Sequence, residues 1–253
     1  MFDIIAHTGS AFRLTLRRAG RSLLARIGCD CPLCGARVAG ARLCAGCESD
    51  IAGSMADPAV PRCPRCALRL RHGHCAACLA GAPPFSRCVA AFDYEPPADI
   101  LVHMLKSGLR LSMAPVLAGM MARACARQGL VLPAGAVLVP VPAGRASLRR
   151  RGMNPAAEIA RALAGELDIP LARAVLARRR ETPRQATLDR RARRRAAQGL
   201  YVCREPLAGR HAVLVDDVMT TGSTVRAAAQ ALIAGGAQDV TVLVAARTPG
   251  GAP

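Results

Sequence analysis

Asp216 and Asp217 stand together at the end of the apolar run "HAVLV", and a hydroxyl-rich loop of Thr220, Thr221, Gly222, Ser223 and Thr224 follows them almost at once. The two groups suit complementary halves of one ligand. Gly222 lets a backbone approach closely, the hydroxyls offer donors, and a helix beginning at Ser223 presents unpaired N–H groups and the positive end of its dipole. That set fits a phosphate monoester at a helix start. Adjacent carboxylates about one sugar-width away suit vicinal ribose hydroxyls, directly or through Mg²⁺. A phosphorylated ribose satisfies both. One acid and a capping threonine would say little, since Thr220 or Ser223 at a helix start is ordinary capping; the whole constellation says more.

Eight of the twelve cysteines fall into two copies of one pattern. "CPLCGARVAGARLCAGC" places Cys31, Cys34, Cys44 and Cys47, and "CPRCALRLRHGHCAAC" places Cys63, Cys66, Cys75 and Cys78. A CxxC turn points two thiolates at one cation, and two such turns complete the tetrahedral S4 shell that Zn²⁺ accepts. Each shell is filled by cysteine with no position left for water, so two structural zincs are expected, each stabilising a segment with little core of its own. Disulfides or redox-active dithiols are the competing assignment, and a reducing compartment argues against them. Sequential pairing closes shorter loops than crossed pairing and is the expected arrangement, although the sequence admits both.

The acid pair must be positioned by the segment after Ser86. "RCVAAFDYE" reads as a strand, "PPADILVHMLKSG" and "LSMAPVLAGMMARACARQG" as helices, and "AVLVPVP" as a buried strand. Next comes the helix "NPAAEIARALAGELD", with Asn154 at the N-cap position and Pro155 as first helical residue. "HAVLVDD", "STVRAAAQALIAGGA" and "VTVLVAAR" then read as strand, helix and strand, a crossover unit of a parallel sheet. The fold expected is an α/β layer structure with a parallel sheet, preceded by a small double zinc-ribbon module. Its parts are an N-terminal amphipathic segment over 1–28, the zinc module over 29–82 and the α/β domain over 86–249. In such sheets ligands bind at the carboxyl ends of strands, which is where the acids and the loop lie.

Thirty-five basic residues against seventeen acidic ones give a net charge of +18, and every basic residue but Lys106 is arginine. Arginine's planar fork suits phosphate, so the expected partner is anionic, although a compositional bias toward Arg and Ala would raise the total equally well. No stretch approaches the ~20 uncharged apolar residues of a spanning helix, and the arginine-broken N-terminus does not read as a signal peptide. A cytoplasmic location follows as an expectation. With no Trp and two Tyr, stacking on single-stranded bases has few platforms.

"VLVDDVMTTGST" resembles the phosphoribosyl-pyrophosphate (PRPP) binding motif of type I phosphoribosyltransferases. "AFDYEPP", "LVHMLKSG", "VPVPAGRASLRRRGMN" and "RRRETPRQATLDRRARRRAAQGLY" are similar, in order and spacing, to blocks of the ComF family, also called GntX-like. Members of that family carry cysteine knuckles ahead of a phosphoribosyltransferase domain. The resemblance implies that Asp216 and Asp217 serve the ribose hydroxyls and metal, and that Thr220 to Thr224 hold the 5′-phosphate. It also implies that Lys106, Arg149 and Arg151 lie near the pyrophosphate, and that Gln185 and Arg193 belong to a mobile flap over PRPP. Without it, Lys106 would pass for a snorkelling surface residue. The chain departs from the family at Ser107, Gly144, Pro155 and Ala196, where members often carry an aromatic residue, His, Gln and Asn. These departures touch the acceptor side and the loop geometry and leave the PRPP motif intact.

Three functions follow as expectations. The first is a phosphoribosyltransferase that binds PRPP and Mg²⁺, its acceptor unspecified. The second, implied by the ComF resemblance, is a role in DNA uptake and natural transformation, with single-stranded DNA and DNA-uptake proteins as partners. The nine arginines of "RRRETPRQATLDRRARRR" would track a phosphate backbone, or simply form a solvated basic loop. The third is a non-catalytic PRPP or nucleotide sensor that keeps the phosphate loop.

Overall fold

The computed structural model describes residues 20, 26–57, 59–70, 73–179 and 199–249. Most of the N-terminal segment 1–28 and the core of the arginine-rich segment, residues 180–198, lie outside that set. The chain divides into two compact units, Met1–Glu48 and Ser49–Pro253.

In the first unit, strands β1 (Gly28–Asp30) and β2 (Arg37–Ala39) pair antiparallel and carry the first cysteine knuckle on their connecting turn. Helix α1 (Ala45–Ala56) begins within the second CxxC.

The second unit is built on four parallel strands in the order β3 (Arg87–Asp93), β8 (Asp239–Arg247), β7 (His211–Met219), β4 (Val137–Pro140). This is the expected parallel α/β sheet. Continuous apolar runs make its strands because both faces are covered. Val139, Ala212, Leu214, Val242 and Val244 share one core with Ala228, Ala229 and Leu232 of α7 (Ser223–Ala234). The intervening Leu138, Val213 and Leu243 are fully buried, and α4 (Met113–Arg127) packs on β3 while α6 (Pro155–Glu166) packs on β4 and β7. The short α2 (Ala76–Leu79) and α3 (Asp99–Lys106) precede α4 in the chain, and the short α5 (Arg145–Arg151) stands between α4 and α6. A two-stranded antiparallel hairpin, β5 (Leu176–Arg178) with β6 (Tyr201–Cys203), flanks α7.

Three local expectations are corrected. The strand "HAVLVDD" does not stop at the acids but runs to Met219, still paired with Arg247, so both carboxylates project from sheet rather than from a loop. "GRASLRRR" is a helical turn, stopped by Gly152 at φ +71°, rather than an irregular loop. Asn154 has the extended backbone of an N-cap but makes no capping bond; its amide instead donates to the carbonyl of Val141 at 2.9 Å, tying the start of α6 to the loop after β4.

The second cysteine knuckle belongs to this sheet's core. Cys63, Cys66 and Ala67 are buried in the same cluster as Cys88, Ala90 and Val242. Arg62, next to Cys63, donates to Asp93 at 2.9 and 2.7 Å, and Arg69 donates to it at 2.6 and 3.2 Å. Asp93 is 5% exposed. Burial alone would raise its carboxyl, but hydrogen bonds from Arg62 and Arg69 outweigh that and hold it below its ordinary value. Its stabilising contribution is therefore present above the unfolded carboxylate pKa and is lost as pH falls through the folded value. Replacing Asp93 by Asn leaves Arg62 buried without its countercharge, and the second unit should lose about 3 kcal/mol in urea unfolding.

Candidate phosphate site and cysteine clusters

Asp216 and Asp217 occupy the last turns of pleat of β7, at the carboxyl edge of the sheet. Asp217 is 8% exposed and Asp216 is half-buried. Lys106, in the last turn of α3, brings Nζ to 2.9 Å from Asp217 Oδ1, so the lysine stands beside the acid pair. The Val218 amide donates to the same oxygen at 2.7 Å, and the Asp217 amide donates to Asp216 Oδ1 at 2.9 Å. Burial and then the neighbouring Asp217 push the Asp216 carboxyl up to about 8. Two crowded acids short of positive charge form an arrangement that a divalent cation or ribose hydroxyl donors would relieve.

The loop after β7 turns on Gly222, at φ +76°. A Cβ built there would lie 2.6 Å from Met219 Cε, the movable end of a flexible side chain, so it is the left-handed conformation that requires glycine. Gly222 sits at the N-cap of α7, and its carbonyl accepts from the Arg226 amide at 2.9 Å. Thr221 and Thr224 are exposed, and Thr221 Oγ1 lies 3.0 Å from Ser223 Oγ. Hydroxyls and helix-start amides thus face solvent together, as an anion site requires.

The arginines divide into two places. Arg149 is exposed and Arg151 half-buried on the last turn of α5, whereas Gln185 and Arg193 lie outside the described residues. Beside the α5 start is a cavity of about 410 Å³ whose lining includes Pro142, Arg145, Arg178, Arg179 and Arg204. Tyr201 lies buried on the same hairpin. Burial raises its phenol to about 12, Asp216 adds to that rise, and Arg178 opposes it. Arg178 opens the arginine-rich segment already assigned from sequence to a phosphate backbone, whereas Arg204 and the burial of Tyr201 were not singled out, because nothing in their spacing marks the hairpin that carries them. Arg247 was also missed. It is 3% exposed and closes the apolar strand "VTVLVAAR", where a terminal arginine reads as an ordinary strand-end residue.

The eight expected cysteine ligands form two sets, Cys31, Cys34, Cys44, Cys47 and Cys63, Cys66, Cys75, Cys78, each with all sulfurs within 4.8 Å of one another. The pairing is sequential. A tetrahedron of ~2.3 Å Zn–S bonds has edges of roughly 3.8 Å. The Cys34–Cys44, Cys63–Cys78 and Cys66–Cys75 sulfurs stand 3.5, 3.7 and 3.5 Å apart. Both knuckles close alike, with Gly35 N to Cys31 O and Ala67 N to Cys63 O each at 2.9 Å. In the first set burial resists ionisation of Cys31, yet backbone amides directed at its sulfur bring the thiol down to about 6. Cys47 is driven up, first by the Cys34 side chain and then by Cys44. Four such sulfurs cannot all carry charge without a cation among them, so both sets fit Zn²⁺.

A family model for the phosphoribosyl transferase domain matches residues 146–252. Curated relatives include the DNA utilization protein YhgH of Escherichia coli O157:H7, 37% identical over 192 residues that cover 74% of this chain and 84% of that protein. YhgH of Salmonella typhi is 37% identical over 193 residues, covering 75% and 85%. Competence protein F of Haemophilus influenzae is 30% identical over 212 residues, covering 81% and 90%. No helix among the described residues is long and apolar enough to cross a membrane.

Two outcomes test the site's geometry. Gly222→Ala forces a left-handed alanine against Met219, and unfolding measurements should show a loss of about 1–3 kcal/mol. For Asp216 the raised folded pKa gives stability that is complete below the unfolded pKa, near 4, and is lost as pH rises through about 8. Asn does not titrate, so Asp216→Asn should melt like the parent near about pH 4 and higher than the parent near about pH 9.

Proposed function

The chain belongs to the ComF/YhgH family, and from that premise we propose that it binds PRPP with Mg²⁺ and transfers the phosphoribosyl group to an acceptor in the handling of DNA. The observation that carries this reading is the joint presence, at one strand end, of a crowded acid pair and a glycine-turned loop of exposed hydroxyls running into a helix start. Thr220 to Thr224 would hold the 5′-phosphate, while Asp216 and Asp217 would accept from the ribose hydroxyls and hold the metal. Mg²⁺, when bound, would offset the charge of the diphosphate. Lys106, Arg149 and Arg151 would face the pyrophosphate, with Gln185 and Arg193 on the flap that covers it.

In the reaction an acceptor's lone pair forms a bond to ribose C1 while the bond from C1 to the pyrophosphate oxygen breaks, and the pair of electrons leaves with the diphosphate. Preorganised arginines would stabilise the charge that develops on it. Closing a flap would keep water from an oxocarbenium-like centre. Zinc in the two cysteine sets would be structural.

DNA enters the proposal through the relatives, a DNA utilization protein and a competence protein, and through the cavity that Arg145, Arg178, Arg179 and Arg204 line. Four arginines around one cavity favour a phosphate-bearing occupant, and a single strand beside the proposed PRPP site is the second reading that this observation supports. A cytoplasmic setting, with DNA-uptake proteins as partners, belongs to the same proposal.

Titration calorimetry with PRPP decides the first reading. Binding should require Mg²⁺ and fall at least about 100-fold in the Asp216→Asn, Asp217→Asn double variant. Unchanged binding would remove the acids from the site. Pyrophosphate release against a panel of nucleobases and single-stranded DNA then identifies the acceptor, and release with none of them favours a sensor that binds without transferring.

A further inference from the structure

Arg247 ends β8 in register with Asp93 on one neighbouring strand and Met219 on the other. Its backbone is fixed from both sides, with Tyr94 N donating to Arg247 O at 2.9 Å and Thr248 N donating to Met219 O at 3.0 Å. The side chain is buried and reaches in two directions. Nε donates to the carbonyl of Cys66 at 3.0 Å, inside the second cysteine knuckle. One terminal nitrogen donates to the carbonyls of Met219, at 2.8 Å, and Thr220, the residues that open the phosphate loop, and to Thr248 O at 2.9 Å.

Every one of these acceptors is a neutral carbonyl. Among the described residues no carboxylate comes within ion-pairing distance of Arg247, and its one tie outside its own strand and the loop is to the second cysteine knuckle, at the Cys66 carbonyl. A buried guanidinium needs a countercharge. Four thiolates around one Zn²⁺ carry a net charge of about −2, and the second cysteine set lies against this arginine. The knuckle is also held to the same level of the sheet from its other flank, where Arg62 and Arg69 grip Asp93. No comparable tie is needed for stability alone, since strand pairing already fixes β7 to β8 as far as Met219 and Arg247. What the guanidinium adds is a hold on the first turn beyond that pairing.

We propose that Arg247 is a positioning residue that couples the Cys63, Cys66, Cys75, Cys78 zinc set to the phosphate loop. The metal-loaded knuckle holds the guanidinium, and the guanidinium holds the Met219 and Thr220 carbonyls so that the amides of the next turn converge on one anion. The Arg247 side chain bonds within the second knuckle, at the Cys66 carbonyl, and the coupling is assigned to that set. The assignment of an anion to that loop rests on the function proposed above; the coupling of knuckle to loop does not.

The test uses the full-length chain and reads amide hydrogen exchange across 220–225, zinc content and the affinity for ribose 5-phosphate. In Arg247→Met, zinc should stay at two per chain while loop exchange quickens about tenfold or more and ribose 5-phosphate binding weakens about tenfold or more. Exchange at Val242 to Val244, inside β8, should be unchanged, which separates a loosened loop from a destabilised sheet. Arg247→Lys keeps the charge but spans fewer carbonyls, gives an intermediate effect, and serves if the methionine variant does not fold. Stripping the second zinc with Cys75→Ser should reproduce the loop effect, and stripping the first with Cys34→Ser should not. Loop exchange at the parent rate in both Arg247 variants, or equal loosening from either cysteine substitution, overturns the coupling. Failure of the parent chain to bind ribose 5-phosphate would instead sink the proposed ligand, and the exchange measurements would still decide the role of Arg247.

Discussion

Three residues on three hydrogen-bonded strands, Asp93, Arg247 and Met219, stand side by side at the carboxyl edge of the sheet, and much of the second unit is arranged around the charges buried there. A carboxylate that is 5% exposed and a guanidinium that is 3% exposed cannot be left to the low-dielectric interior. Asp93 draws in Arg62 and Arg69, and Arg247 draws in the Cys66 carbonyl of the second knuckle. The second knuckle is thereby fixed to the edge at which ligands of open α/β sheets bind. A zinc knuckle that small has little apolar surface of its own, and Cys63, Cys66 and Ala67 find theirs in the sheet's core cluster.

The parts of this arrangement that sequence made legible are those where one residue type has one physical use. Paired CxxC turns, an apolar strand ending in acids, and a glycine among threonines each have few alternative explanations. The zinc sets, their sequential pairing and the parallel sheet were legible in that way. What sequence concealed was long-range charge pairing. Arg62 and Arg69 meet Asp93 across 31 and 24 residues of chain, and no local pattern marks the match. In a chain whose basic residues are nearly all arginine, nothing local distinguishes the arginines that meet a buried carboxylate. The burial of Tyr201 escaped because its hairpin with Arg178 is built by pairing across the segment 180–198 rather than by hydrophobic alternation of any length.

The arginine bias therefore has two meanings in one molecule. At Arg62, Arg69 and Arg247 the guanidinium's fork serves internal acceptors, several at once, in the way that lysine's point charge would not. At Arg145, Arg178, Arg179 and Arg204 the same fork lines an open cavity. Lys106 stands apart from both groups. At a position facing a single carboxylate oxygen, the Asp217 Oδ1 at 2.9 Å, a compact ammonium suffices. An ammonium on a flexible stem can also leave that oxygen when a cation or a sugar hydroxyl takes its place.

The acid pair shows why such a replacement would be favourable. Burial and the neighbouring carboxylate lift Asp216 to about 8, so at neutral pH the pair holds a proton that an ordinary aspartate would have released. Holding two carboxylates this close, with Asp217 8% exposed, costs stability. Only an added positive charge or a set of hydroxyl donors converts the strain into binding. Gly222 makes a concession in the backbone, accepting a left-handed conformation at the N-cap of α7. Two local penalties in one strand-to-helix connection are what the proposed phosphoribosyl ligand would answer together.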